Sequence, residues 1–304
     1  MHNGHPDDIT PGSQSRRAGP PARRRPSARS RNVWLIASAA LLTTMALAAG
    51  VIIGYHLGSR TTARPSAALT ADFARLETKL QAVVGIAVSP VGNGQAPIML
   101  GDWQSGPAWS TIKVPLIIAA LREENPPTIT DAMTAAITES DNAAAESIWA
   151  SLGDPVTAAR KVEAVLRQTG DFTTVQSQKV LTEFSAFGQT DWSLTDQVRF
   201  TSVAFCNNAN APIFALMGRV VPDQKWGIGT VPDAQFKGGW GPLPPGGYLV
   251  RQLGVLPAPN GRIAVALAAQ PASGTFDDGT AALNEMATWL AAHLAALPAG
   301  RCGP

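Results

Sequence analysis

Three patterns of apolar and polar positions follow one another along the chain. Residues 1–32 show no apolar period. Asn32 to Ser59, NVWLIASAALLTTMALAAGVIIGYHLGS, contains no charged residue. After residue 60 the helical period of 3.6 and the strand period of 2 take turns. In TADFARLETKLQAV, Phe73, Leu76 and Leu80 share a face, and Thr70 with Asp72 can cap the first turn, which predicts a helix. VVGIAVSPV, the turn GNGQ and PIMLG predict a β-hairpin. From about 110 to 220 the pattern is mostly helical, through STIKVPLIIAALREE, TITDAMTAAITES, NAAAESIWASLG, PVTAARKVEAVLRQTG and SLTDQVRFTSVAFCNN. Strand patterns return in AQFKGGW, GGYLVRQLGVL and RIAVALAAQ, the last two joined by a PAPNG turn. DGTAALNEMATWLAAHLAAL closes the chain as an amphipathic helix.

Helix, two strands, a helical block, three strands and a helix predict an α+β fold. Strands from both ends of the chain form one antiparallel sheet, with the terminal helices on one face and the helical block beside it.

Charge changes the picture only at the N-terminus. The formal net charge is +2, but seven arginines against Asp7 and Asp8 give residues 1–32 a charge of +5, leaving −3 for the rest. A basic, Pro- and Ser-rich segment of this kind is expected to be a disordered tail. A basic run can mark nucleic-acid binding, yet this one directly precedes an uncharged run longer than the roughly 20 apolar residues that span a bilayer. Arginines on the N-terminal flank put that flank in the cytoplasm by the positive-inside rule, with Trp34 and Tyr55 near the two interfaces. A cleaved signal peptide is the rival reading; its apolar core is usually shorter, roughly 7–15 residues. The chain thus divides into a cytoplasmic tail (1–32), a transmembrane signal anchor (33–58), a linker (59–68) and one exported domain (69–304). Partners are then the membrane and a substrate, with no nucleic acid and no obligate protein partner implied. Cys206 and Cys302 both lie in the exported part, where an even pair permits one disulfide; two unrelated buried thiols are the alternative.

Elimination limits the chemistry. The histidines are His2, His5, His56 and His293, and only His293 is exported, in the middle of a helical pattern. A Ser-His-Asp triad and a His/Cys zinc site therefore lack their imidazoles. No Walker loop or dinucleotide fingerprint is present. Neither a metal nor a cofactor is expected. A hydrolytic serine would need a base other than histidine, and lysine can serve. In Ser110-Thr111-Ile112-Lys113 the i,i+3 spacing sets hydroxyl and amine on one helical face, and partial burial lowers a lysine pKa toward what a base requires. At a helix start Ser110 also sits where backbone N–H groups can face a developing oxyanion.

Alone, Ser-x-x-Lys is weak: with 18 serines and 6 lysines, chance gives ~0.4 occurrences. It is followed by Ser140-Asp141-Asn142 between two helical patterns, a tripeptide expected ~0.03 times by chance, and later by Lys237-Gly238-Gly239 at the end of a strand pattern. In these motifs the chain resembles the penicillin-recognising serine hydrolases, the class A β-lactamases and D,D-peptidases, whose signature is S-x-x-K, S-D-N and K-T-G. The resemblance covers about residues 69–296. It implies a β-lactamase/transpeptidase-like fold, with Ser110 as the acylated nucleophile and Lys113 as its base. Ser140 would pass the proton to the leaving group, Asn142 would bind the substrate's amide side chain, and Asp141 would brace the interlobe loop. Lys237 would line the cleft and hold the proton network. The N–H groups of Ser110 and Trp240 would form the oxyanion hole, the latter directly after Gly239.

Two departures stand out. Glycine at position 238 lacks the hydroxyl that helps bind a substrate carboxylate, a contact Arg251 is expected to supply. The family's deacylating glutamate falls, by counting, at Gln176 or Ser177, and TTVQSQKV has no carboxylate; Asp171 and Glu183 flank it. The short interval between Ser110 and Ser140 implies a reduced helical lobe. The resemblance implies a membrane-anchored extracytoplasmic serine hydrolase or acyltransferase. Its substrate would be a β-lactam or a cell-wall peptide ending in D-Ala, with slow β-lactam deacylation. The competing reading is a non-catalytic binding protein that keeps the fold and its cleft.

Overall fold

The computed structural model describes residues 64–92, 95–244 and 246–303. The expected tail and membrane span lie outside these residues. Among the described residues no helix is long and apolar enough to cross a membrane.

Helix α1 (Ala67–Glu77) leads into strands β1 (Ala82–Pro90) and β2 (Ile98–Gly101). Its cap is Ser66, whose Oγ accepts from Leu69 N, four residues before the expected hydroxyl of Thr70. The helical block comprises α2 (Lys113–Leu121), α3 (Asp131–Thr138), α4 (Asn142–Ser151), α5 (Pro155–Arg167), α6 (Leu194–Ala204) and α7 (Ala211–Met217). Strands β3 (Gln235–Pro242), β4 (Tyr248–Ala258) and β5 (Gly261–Pro271) and helix α8 (Phe276–His293) follow. The five strands form one antiparallel sheet in the order β2-β1-β5-β4-β3, so strands from both ends of the sequence meet where β1 pairs with β5. β3 is an edge.

Strand periodicity divides the core in two. One sheet face, with Ile86, Val265, Leu267 and Val250, packs under Phe73 of α1 and Leu283, Met286 and Leu290 of α8. Phe73 and Trp289 meet edge to face with centroids 5.0 Å apart. The other face, with Ala87, Leu253, Val255, Ala264 and Ala266, packs against Ile117, Leu194, Val198 and Phe200 of the helical block. Cys206 and Cys302 form a disulfide with Cα atoms 5.2 Å apart. Together with the bridge between Arg262 and Gly300, it ties the C-terminal segment back to α6 and β5.

Candidate active site

The single helix expected from Ser110 onward is split. Trp109–Ile112 forms a 3₁₀ turn and the α-helix begins at Lys113. Pro115 sits in the first turn of α2, where its missing N–H costs no helical bond. Trp109 enters the turn with φ 48°, a left-handed conformation unusual for a bulky residue. Ser110 is half-buried, and its hydroxyl makes no hydrogen bond among the described residues. Thr111, beneath it, accepts from Gln197 Nε2 at 2.8 Å.

Lys113 is 1 % exposed, and its amine points into the turn before α4. Nζ donates to Ser140 O (2.7 Å), Asp141 O (3.2 Å) and Asn142 Oδ1 (2.7 Å), and Ser140 Oγ lies 3.5 Å away. Lys237, fully buried on β3, reaches the same hydroxyl, donating to Ser140 Oγ at 2.8 Å and to Gly238 O at 2.8 Å. Ser140 is itself held at φ 59°. All three motifs, separated by as many as 127 positions between Ser110 and Lys237, thus converge on one buried hydroxyl. Burial draws the Lys113 amine down to about 7, against the Asp141 and Glu146 carboxylates, which favour the charge. Burial and, after it, the Lys113 charge push Lys237 well below the ordinary lysine value.

Asp141 has a different task from the expected interlobe brace. Its carboxylate caps α4, accepting from Ala144 N at 2.6 Å, while its carbonyl helps seat Lys113.

Lys237 is the third residue of β3, whose pairing continues through Pro242, not the end of the strand. Alternation points Lys237, Gly239 and Gly241 toward the helical lobe. A Cβ on Gly239 would lie 2.8 Å from Ser110 N, 2.9 Å from Thr111 N and 3.0 Å from Ala108 O, so this position must be glycine for β3 to approach the Ser110 turn. Gly238 and Trp240 face the other way. A Cβ on Gly238 would meet the Trp226 ring at 2.9 Å, so the indole takes the space a threonine would need there.

Arg251 corrects an expectation. It is fully buried, opposite Gly239 in the strand register. Nη1 donates to Gly106 O and Pro107 O, both at 2.8 Å; Nη2 donates to Trp192 O at 2.8 Å and Gln197 Oε1 at 2.5 Å. Its guanidinium also lies over the Trp103 ring at 5.0 Å. It holds the segment leading into Ser110, and its one unpaired donor, Nε–H, is buried and closed off from a cleft carboxylate. Gln197, which sequence reasoning missed, links Arg251 to Thr111 beneath Ser110. A polar residue one turn from both Leu194 and Phe200 in a helix with a buried apolar face was the available signal.

The loop between α5 and α6 holds the positions reached by counting, Gln176 and Ser177. Asp171 is buried, accepting from Trp192 Nε1 (2.7 Å) and Thr173 N (2.9 Å). Burial, then Asp196, raises its pKa to about 6. Thr190 links both ends of the site: Oγ1 accepts from Gln176 N at 3.0 Å and its carbonyl from Ala108 N at 2.7 Å. The part that packs on the turn at Trp109 and Ser110 is Phe184–Gly188. Phe184 meets Trp109 edge to face at 5.1 Å, and a Cβ on Gly188 would come within 3.8 Å of Trp109 Cα. That part carries no carboxylate; Glu183, just before it, is exposed.

By sequence, no protein-family model and no curated protein matches the chain. The fold has clear structural counterparts. The TLA-3 extended-spectrum β-lactamase superposes with a TM-score of 0.60 at 16% identity, covering 75% of this chain and 98% of that one. A class A β-lactamase from Bacteroides cellulosilyticus gives 0.62 at 15% identity, covering 78% and 100%. A mutant of the class A β-lactamase of the last common ancestor of Gram-negative bacteria gives 0.57 at 20%, covering 74% and 98%. The fold is β-lactamase-like.

Proposed function

We propose that the protein is a membrane-anchored extracytoplasmic serine hydrolase or acyltransferase that works through an acyl-enzyme on Ser110. The observation that carries this reading is the convergence of Lys113 and Lys237 on Ser140 Oγ, together with a Ser110 hydroxyl that makes no hydrogen bond among the described residues. Two buried amines around one hydroxyl are costly for stability alone; for proton transfer they are what the chemistry needs. In the proposed reaction Ser110 Oγ attacks the carbonyl carbon of an amide or ester and its proton passes to neutral Lys113. The oxyanion is met by the N–H groups of Ser110 and Trp240. Collapse breaks the bond to the leaving nitrogen or oxygen, which takes its proton from Ser140 Oγ, and Ser140 is reprotonated from Lys113 or Lys237. Water or an acceptor hydroxyl then attacks the acyl-enzyme. β-Lactams and D-Ala-terminated cell-wall peptides are the substrates the fold brings to mind, with Asn142 beside the acyl amide. The arginine-flanked span over 33–58 supports the membrane placement.

Intact-mass measurement after incubation with a fluorophosphonate tests the reading. A single adduct on Ser110, absent in Ser110→Ala and slowed by orders of magnitude in Lys113→Ala, is expected. Equal labelling of all three proteins would refute it and leave a binding protein with this fold.

A further inference from the structure

The side of β3 that faces away from Lys237 carries an unusual wall. Trp226 and Trp240 meet edge to face at 5.9 Å, and Phe276 closes on both, at 5.9 Å from Trp226 and 5.4 Å from Trp240. Tyr248 joins Phe276 at 6.4 Å. These rings come from the turn before β3, from β3 and β4, and from the first residue of α8. Trp226 is buried, but Trp240, Tyr248 and Phe276 remain half-exposed, so the wall is open to solvent. It is also next to the chemistry. Trp240 follows Gly239, whose Cα approaches the Ser110 and Thr111 amides closely enough to leave no room for a side chain.

Charge around the wall opposes an anion. The cations of β3 and β4 are Lys237 and Arg251, and both are fully buried: Lys237 donates to Ser140 Oγ and Gly238 O, both Nη groups of Arg251 are held by protein acceptors, and its unpaired Nε–H is closed off from solvent. Position 238 offers no hydroxyl, and Trp226 fills its space. The rim at the start of α8 is acidic, with exposed Asp277 and Asp278 directly after Phe276. A carboxylate here would be desolvated against aromatic rings with two like charges nearby, whereas an uncharged ring would gain edge-to-face contacts.

We propose that the subsite beside Trp240 takes an uncharged aromatic group of the substrate in place of a carboxylate, which makes the protein selective for neutral aryl esters or amides. This inference rests on the acyl-enzyme reading for its chemistry and on the wall alone for its specificity.

The test uses one matched pair, the phenyl and 4-carboxyphenyl esters of the same acyl group, with the full-length protein. Acylation rates, each divided by the spontaneous hydrolysis rate, should favour the neutral ester by at least about tenfold. Binding to Ser110→Ala, followed by tryptophan fluorescence, should show the same order without any chemistry. Phe276→Arg and, on the other side of that ring, Tyr248→Arg should each shift the preference toward the carboxylated ester by about tenfold or more. Two variants guard against one that fails to fold. Preferred or equal binding of the carboxylated ester overturns the inference, as does an acid preference that disappears in Lys225→Met, since exposed Lys225 beside Trp226 would then be the anchor. Absent acylation by both esters, with neutral-over-acid binding retained in Ser110→Ala, would refute the catalytic reading and leave this specificity standing.

Discussion

Gly239→Ala is the smallest change that separates the contact between β3 and the nucleophile turn from everything else in the site. The added methyl group would sit 2.8, 2.9 and 3.0 Å from Ser110 N, Thr111 N and Ala108 O. These are backbone atoms of a turn pinned from behind by Arg251 and by the bond from Ala108 N to Thr190 O. Comfortable carbon contacts begin near ~3.5 Å, so the strand and the turn must part by roughly 0.5 Å. Overpacking of this kind costs about 1–3 kcal/mol. Misplacing one oxyanion donor by half an ångström should slow acylation by about 10- to 100-fold. Denaturant unfolding measures the first effect and the rate of fluorophosphonate labelling the second. Gly246→Ala is the control: nothing lies within 4 Å of its added Cβ, so both stability and rate should hold. If Gly239→Ala loses stability but labels Ser110 at the normal rate, the approach of β3 serves packing only and Trp240 N–H is not an oxyanion donor. If it changes neither, the contact itself is wrong.

Four further outcomes follow from the same geometry. Labelling of Ser110 should rise with pH through about 7, because only neutral Lys113 accepts a proton; a rate flat from pH 5 to 9 would contradict that role. The same shift sets a stability trend. A lysine whose folded pKa is depressed costs stability fully below about 7, and the cost fades toward its ordinary 10.5, so unfolding free energy should climb across that window, less so in Lys113→Met. Asp171 works oppositely, its raised folded pKa of about 6 making acidification from 7 toward 4 favourable locally, a contribution that Asp171→Asn should remove from a denaturation–pH series. Arg251→Ala, which leaves Pro107 O, Trp192 O and Gln197 Oε1 without the donor each has now, should cost about 3–5 kcal/mol, and Arg251→Lys should recover only part because an ammonium lacks the fork.

The motifs were legible because each depends on residue identity at short spacing, and the sheet and terminal helices because each depends on a simple period. What stayed hidden was tertiary. Arg251 reads as a cleft ligand when taken alone, yet it sits two residues before Leu253 and four before Val255, both on the buried face toward the helical block. That alternation already placed it inward. The split between Ser110 and Lys113 is marked by nothing more than Pro115, and the φ of Trp109 by nothing at all. Counting along the loop does not reveal its course: a 3₁₀ turn at Phe187–Gln189 and the bonds of Gln189 to Leu181 fold it back, so sequence distance from Ser140 does not by itself give proximity to Ser110. The aromatic wall is assembled from four separated segments, none amphipathic in a way that points at the others.

The two lysines pose the last question, which is where the proton rests. Lys113 faces two backbone carbonyls and an amide oxygen, three acceptors that match the three hydrogens of an ammonium. Lys237 faces one carbonyl and a hydroxyl that can donate as readily as accept. Two charges this close in a buried site repel, and burial disfavours both, so below about pH 7, before Lys113 loses its proton to solvent, the charge belongs on Lys113 and Lys237 is the neutral partner. In that arrangement Lys113 is not yet a base. It becomes one when its proton moves through Ser140 Oγ to Lys237, a path whose steps are the 3.5 Å and 2.8 Å separations already present. Ser140 is then more than a donor to the leaving group: it is the switch that arms the nucleophile. Ser140→Ala should therefore slow acylation even by esters whose leaving groups need no proton, and a full rate with such esters would show that Lys113 discharges by another route.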